Sequence, residues 1–99
     1  MNDMKRMIEQ FHQTEDVYQK EKIKKDTLET MQDDIEKILK EKYPEYSEKH
    51  KDDLMCEGYM AVLESLETVS PDLEEKEIVR QTKEKIECNM QGYVEAFVD

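Results

Sequence analysis

The chain has 99 residues, of which 36% are hydrophobic and 41% charged, so it is long enough for one domain with a modest core but too short for a deep enzyme cleft as well. Two glycines and two prolines supply too few turn residues for an all-β fold. The formal net charge of −11 disfavours unaided binding to duplex DNA, because an acidic surface repels phosphates.

The first predicted helix occupies residues 1–25, which we treat as a separate N-terminal segment that extends from the bundle or joins two copies. Its apolar residues follow helical spacing: Met4, Met7, Ile8, Phe11 and Tyr18, with Ile23 as a weaker continuation. Methionines at helical spacing more often fill a core, and the alternative is that Met4, Met7 and Ile8 form an exposed homodimer seam.

The second predicted helix opens with a capping box formed by Asp26 and Glu29. It presents Leu28, Met31, Ile35, Ile38 and Leu39 on one face and ends before Pro44, because proline disfavours helical geometry in the residue before it. Residues 26–99 are predicted to form the helical core of the protein.

The third predicted helix runs from about Glu48 or Lys51 to Glu67, with Leu54, Tyr59, Val62, Leu63 and Leu66 inward. Gly58 either faces solvent or allows a neighbouring helix to approach closely. Ser70 and Pro71 predict the start of the fourth helix. Its predicted inward residues are Ile78 or Val79, Thr82, Ile86, Met90, Tyr93, Val94 and Phe97. The fold class is all-α, a small bundle of three to four helices.

Negative charge is concentrated in the second half of the chain. Between Asp52 and Val79 there are nine acids against Lys76 alone. This density favours a basic partner, either an Arg- and Lys-rich protein face or a groove that normally holds nucleic acid, although such charge also serves solubility alone. The candidate partner-binding residues are Asp52, Asp53, Cys56, Glu57, Glu64, Glu67, Asp72, Glu74 and Glu75.

The sequence favours a binding function over catalysis. It contains no nucleophile-and-base arrangement and no glycine-rich phosphate loop, and His12 and His50 lie outside metal-binding spacings. We expect no enzyme activity, no cofactor and no metal site. Cys56 and Cys88 predict separate, partly buried thiols in a reducing cytosol, and no apolar run is long enough to span a membrane.

The segment Asp53-Leu54-Met55-Cys56-Glu57-Gly58 continues to Leu66 and is followed by Ser70-Pro71-Asp72. It resembles region 2 of bacterial RNA polymerase sigma factors, whose pattern is D-L-[IVM]-Q-E-G-x-x-x-L-x-x-[AS]-[IL] followed by a loop with aspartate and proline. The resemblance covers about residues 27–97 and implies docking on the basic coiled coil of the polymerase clamp. Asp53 and Glu57 match contact positions of that family, and Cys56 replaces the usual glutamine.

The chain departs from the family where sigma factors carry aromatic and basic residues that bind unpaired bases. It has Glu84, Lys85, Glu87 and Asn89 there, and we expect no second DNA-binding domain, so the resemblance implies a truncated or repurposed acidic relative. A second hypothesis is a phage-type acidic nucleic-acid mimic, such as an anti-CRISPR or anti-restriction protein that occupies the groove of a nuclease. A third is a structural module that dimerises through its N-terminal helix.

Overall fold

The computed structural model describes residues 3–98, which contain helices and no strand. The four α-helices are α1 (Met4–Gln13), α2 (Val17–Lys42), α3 (Lys51–Thr68) and α4 (Glu75–Phe97). A 3-10 turn, Pro44–Tyr46, connects α2 to α3. The all-α prediction is confirmed, with four helices in the bundle.

Helix α3 is the central element, because it packs against each of the other three helices. Its buried side lies between α2 and α4, which contact each other only sparsely. The fully buried side chains at this junction come from three helices: Met31, Ile35 and Leu39 on α2, Leu54, Val62 and Leu66 on α3, and Ile78, Ile86 and Met90 on α4. This packing fixes which side of α3 remains free for solvent.

Helix α1 is part of the core and does not extend from it. Met4 and Ile8 are fully buried, and Met7 and Phe11 are nearly so. The predicted dimer seam is therefore wrong, since its three side chains are already covered by the chain's own helices. The division at residue 25 is also wrong, because it falls inside α2.

The break between α1 and α2 lies ten residues earlier than the capping box at Asp26 predicted. Asp16 caps α2, where its Oδ1 accepts the Tyr18 backbone N–H at 2.8 Å. Asp26 is exposed and lies within α2. The helix runs through this position, and Ile23 and Thr27 on either side of Asp26 are buried in the core. Tyr18, which was grouped with the helically spaced apolar residues of the first helix, lies in α2 and is 86% exposed.

Gly58 is a point of close helix approach, which confirms one of the two predicted alternatives. A Cβ atom at this buried position would overlap Ile35 Cγ2 on α2 and lie 3.4 Å from Met90 Cε on α4. Glycine therefore lets α3 sit deeper between its neighbours than any other residue would allow.

The start of α4 differs from the prediction at Ser70 and Pro71. Those residues form a turn in which Ser70 Oγ accepts the Asp72 N–H at 3.2 Å, and the helix begins at Glu75. Lys5 Nζ on α1 donates to the carbonyls of Pro71 at 3.1 Å and Leu73 at 2.6 Å, which holds this segment as a turn. Phe97, at the other end of α4, was predicted to face inward but is 72% exposed.

Candidate protein-binding face

Five carboxylates of α3 share one side of the helix. At about 100° per residue they fall within an arc of about 140°, opposite the buried side chains. We call them the acidic face: Asp52, Asp53, Glu57, Glu64 and Glu67. Four of them are exposed and Glu57 is half-buried. The structure therefore brings five of the nine predicted site residues together as carboxylates on one surface.

The acidic face is favourable for the helix at one end and unfavourable at the other. Asp52 and Asp53 lie in the first turn of α3, where the partial positive charge of the helix N-terminus stabilises carboxylates. Glu67 lies next to the C-terminus, and the last turn contains no basic residue that would offset the repulsion there. Helix stability thus accounts for the aspartates but not for Glu67.

Asp53 is held in place from α4. Tyr93 donates its hydroxyl proton to Asp53 Oδ2 at 2.8 Å, and the Tyr93 oxygen lies 3.2 Å from His50 Nδ1. Since the single hydroxyl proton goes to Asp53, the His50 Nδ1–H is the donor to Tyr93. The hydrogen bond to the Asp53 carboxylate, followed by partial burial, raises the pKa of Tyr93 above its ordinary value. The two hydrogen bonds, from His50 to Tyr93 and from Tyr93 to Asp53, orient the Asp53 carboxylate at the N-terminus of α3.

Glu57 and Glu64 lie along the groove between α3 and α4. The Glu57 backbone carbonyl accepts a hydrogen bond from Asn89 Nδ2 at 3.3 Å, which ties this turn of α3 to α4. Glu64 pairs with Lys85 Nζ at 3.3 Å, with the two side chains 52% and 30% exposed. An ion pair this exposed contributes about 0–1 kcal/mol, so Lys85 is easily displaced by a stronger cation.

Cys56 and Met60 lie among these carboxylates at i and i+4 on the same side of α3. Cys56 is a free, exposed thiol, as is Cys88 on α4, so the prediction of partly buried thiols is wrong while their separation is confirmed. Met60 is 47% exposed and supplies an apolar contact in the middle of the acidic face. Sequence reasoning missed Met60, although its spacing from Cys56 placed it on the solvent side.

Asp72, Glu74 and Glu75 do not belong to the acidic face. Asp72 lies in the turn after α3, Glu74 caps α4 without a side-chain hydrogen bond, and Glu75 is in its first turn. All three are exposed. The nine predicted site residues are thus divided by the turn into six on α3 and three beyond its C-terminal end.

Two acids further along α4 share one arginine of the same helix. Arg80 donates to Glu77 and Glu84 on either side of it. These hydrogen bonds, with one from Gln81, lower the pKa of Glu77 from 4.5 to about 2. Glu77 and Glu84 are therefore less available to a partner than the carboxylates of α3.

Residues 3–98 contain no group of three or more His, Cys, Asp or Glu side chains that could hold a metal ion. His50 contacts Tyr93 as described above, and His12 Nε2 lies 2.8 Å from the Leu66 carbonyl oxygen. Within the same residues, no helix combines the length and the apolar character that crossing a bilayer requires.

Comparison of the chain with protein-family models, curated proteins and solved structures finds no match. The sigma-factor resemblance therefore depends on the motif residues alone, and functional inference depends on the geometry of the acidic face.

Proposed function

We propose that this protein is a non-enzymatic, sigma-like regulator that docks on RNA polymerase through the acidic face. The observation that carries the proposal is the shared orientation of Asp52, Asp53, Glu57, Glu64 and Glu67 on one solvent side of α3. Asp53 and Glu57 are the two residues that match the family's contact positions, and they lie one helical turn apart.

The chemistry of the acidic face suits a helical, arginine-rich partner such as the clamp coiled coil. Carboxylates one turn apart accept hydrogen bonds from guanidinium groups on a facing helix. Met60 adds an apolar contact at the centre of the surface, and interfaces gain most of their affinity from such central contacts surrounded by polar groups.

The test is binding of the purified chain to the isolated clamp coiled coil. Glu57→Lys is expected to weaken binding at least tenfold, because it places a cation opposite basic side chains. Glu29→Lys is the matched control, since it makes the same charge change at an exposed position on α2 away from the acidic face. Equal binding by the two variants would contradict the proposal.

A second candidate function is inhibition of a nucleic-acid-binding protein by mimicry. It is favoured by the continuation of exposed acids beyond α3, at Asp72, Glu74 and Glu75, which adds negative charge beyond the acidic face. Displacement of DNA from a nuclease, with affinity falling steeply as salt increases, would support mimicry. Affinity capture from a bacterial lysate separates the two functions by retaining polymerase in one case and a nuclease in the other.

Both functions place the protein in the cytosol, where nucleic acids and their enzymes are found. Two free, exposed thiols support a reducing compartment.

A further inference from the structure

The end of the bundle next to Asp53 carries an exposed aromatic surface. Phe97 is 72% exposed, and its ring lies 5.2 Å from that of Tyr93 at an interplanar angle of 39°. The Tyr93 ring in turn contacts His50 at 5.8 Å. We call Phe97 and Tyr93 the aromatic platform.

The aromatic platform is rigid on its inner side and open on its outer side. Tyr93 is half-buried and fixed by its hydrogen bonds to Asp53 and His50, so it provides Phe97 with a stable neighbour. Within residues 3–98, no cationic side chain of the chain lies over the Phe97 ring; the cation–ring contact that does occur is Lys20 over Phe11, far from this end.

Two carboxylates of α3 lie on one side of the aromatic platform. Asp53 is bonded to Tyr93, and Asp52 precedes it in the first turn of α3. Glu95 is two residues from both Tyr93 and Phe97 and lies on the other side of α4, where it accepts a hydrogen bond from Gln91. Of the nearby lysines, Lys51 is paired with Glu36 at 3.3 Å and Lys49 is exposed. Water and small hydrated cations make poor contacts with an aromatic ring that is exposed beside carboxylates.

We propose that the aromatic platform binds an arginine side chain of a basic protein partner, with neighbouring basic residues of the partner on Asp52 and Asp53. Guanidinium groups stack on aromatic faces and pair with carboxylates, whereas the compact, strongly hydrated ammonium of lysine stacks less well. The inference rests on the proposed function in one respect, that the partner is basic and carries arginine, and adds a second place of contact, the aromatic platform, where one of those arginines stacks.

The experiment compares two peptides of equal length and charge, one alternating Arg with Ala and the other Lys with Ala, titrated into the full chain at low salt. The Arg peptide is expected to bind about two- to fivefold more tightly, the gain of one exposed cation–π contact. Phe97→Leu should abolish this preference, while Asp53→Asn should weaken both peptides. Tyr18→Leu is the matched control: Tyr18 is another exposed aromatic, at the opposite end of the bundle, and its loss should leave the preference intact.

Three results would overturn the inference: no binding of either peptide, equal affinities, or an Arg preference that survives Phe97→Leu. Its failure is distinguishable from that of the proposed function. If the clamp coiled coil binds in a Glu57-dependent manner but the peptides show no preference, only the arginine platform is wrong. If the preference is present and the coiled coil does not bind, the polymerase proposal is wrong and the platform stands.

Discussion

Gly58 shows how one residue sets the depth of helix packing. We expect Gly58→Ala to destabilise the fold by about 1–3 kcal/mol, because its methyl group would overlap the buried, β-branched Ile35 side chain, which outweighs the gain of about 1 kcal/mol in helix propensity. Urea unfolding followed by circular dichroism measures the change.

Gly92 provides the matched control for that substitution. It is exposed on α4, and a Cβ atom there would meet nothing within 4 Å. Gly92→Ala is therefore expected to stabilise the protein by about 0.5–1 kcal/mol through helix propensity alone. A stabilising Gly58→Ala would contradict the close approach of α3 to α2.

Glu77 gives the stability of α4 a dependence on acid pH. Its pKa is lowered to about 2 in the folded state, first by hydrogen bonds from Arg80 and then by one from Gln81. Because the folded pKa lies below the ordinary value of 4.5, the stabilisation is complete above that value and is lost as the pH falls towards 2.

The corresponding variant is Arg80→Met, which should return the pKa of Glu77 towards 4.5, as measured by NMR titration of its carboxyl carbon. Gln81→Leu removes only the second cause and should raise the pKa less. A Glu77 that still titrates near pH 2 in Arg80→Met would show that another group holds it ionised.

At the scale of elements, Lys5 connects α1 to the turn between α3 and α4. Its ammonium donates to two backbone carbonyls of that turn, so we expect Lys5→Met to lower stability by about 1–2 kcal/mol, since hydrogen bonds from charged groups are among the stronger ones. Amide exchange of residues 73–78 should accelerate, because the turn precedes the first bonds of α4.

Arg6→Met serves as the control for Lys5→Met. Arg6 is exposed, and its contact with Asp3 is 3.6 Å long, so the loss should remain within about 0–1 kcal/mol. If both variants lose the same stability, Lys5 acts through general charge and not through its contacts with the turn.

Helix type and inward faces could be predicted from sequence because apolar spacing determines them, whereas several boundaries could not. Asp26 and the residues after it match a capping box, yet Asp16 caps the helix. The earlier start places Ile23 and Thr27 in the helix, where both are buried. Likewise, the signal at Ser70 and Pro71 was overridden by Lys5, which lies more than sixty residues away in sequence. Tertiary contacts decided both cases.

The candidate site likewise contains features that could be predicted from the sequence and features that could not. The carboxylates of α3 follow from helical spacing and were predicted, as was their association with Cys56. The contacts of Tyr93 with Asp53 and His50 join residues more than forty positions apart, and no local pattern encodes them. The exposure of Phe97 was missed because its spacing continues the inward face of α4, although Val94 is the last residue of that face to pack against the core.

At the scale of the whole molecule, the charge of −11 makes the fold repel itself. Raising sodium chloride from about 0.01 M to about 0.15 M shortens the screening length from about 30 Å to about 8 Å. We expect the Tm at pH 7 to rise, since screening of this repulsion outweighs the weakening of a few exposed ion pairs. Differential scanning calorimetry measures the shift.

The same salt increase near the pI of about 4.6 is the control. There the positive and negative charges are nearly balanced, so the Tm should change little. A Tm at pH 7 that falls with salt would indicate that the surface ion pairs, such as Glu36 with Lys40 and Lys51, contribute more than the repulsion costs.

The two native thiols can serve as footprinting probes for the surface of the protein. Cys56 lies among the carboxylates of α3, whereas Cys88 lies on α4, and both are exposed. An alkylating agent followed by mass spectrometry would therefore report which side of the bundle a bound macromolecule shields, without any engineered label. A larger slowing of Cys56 than of Cys88, each relative to its rate in the free protein, would locate the contact on α3.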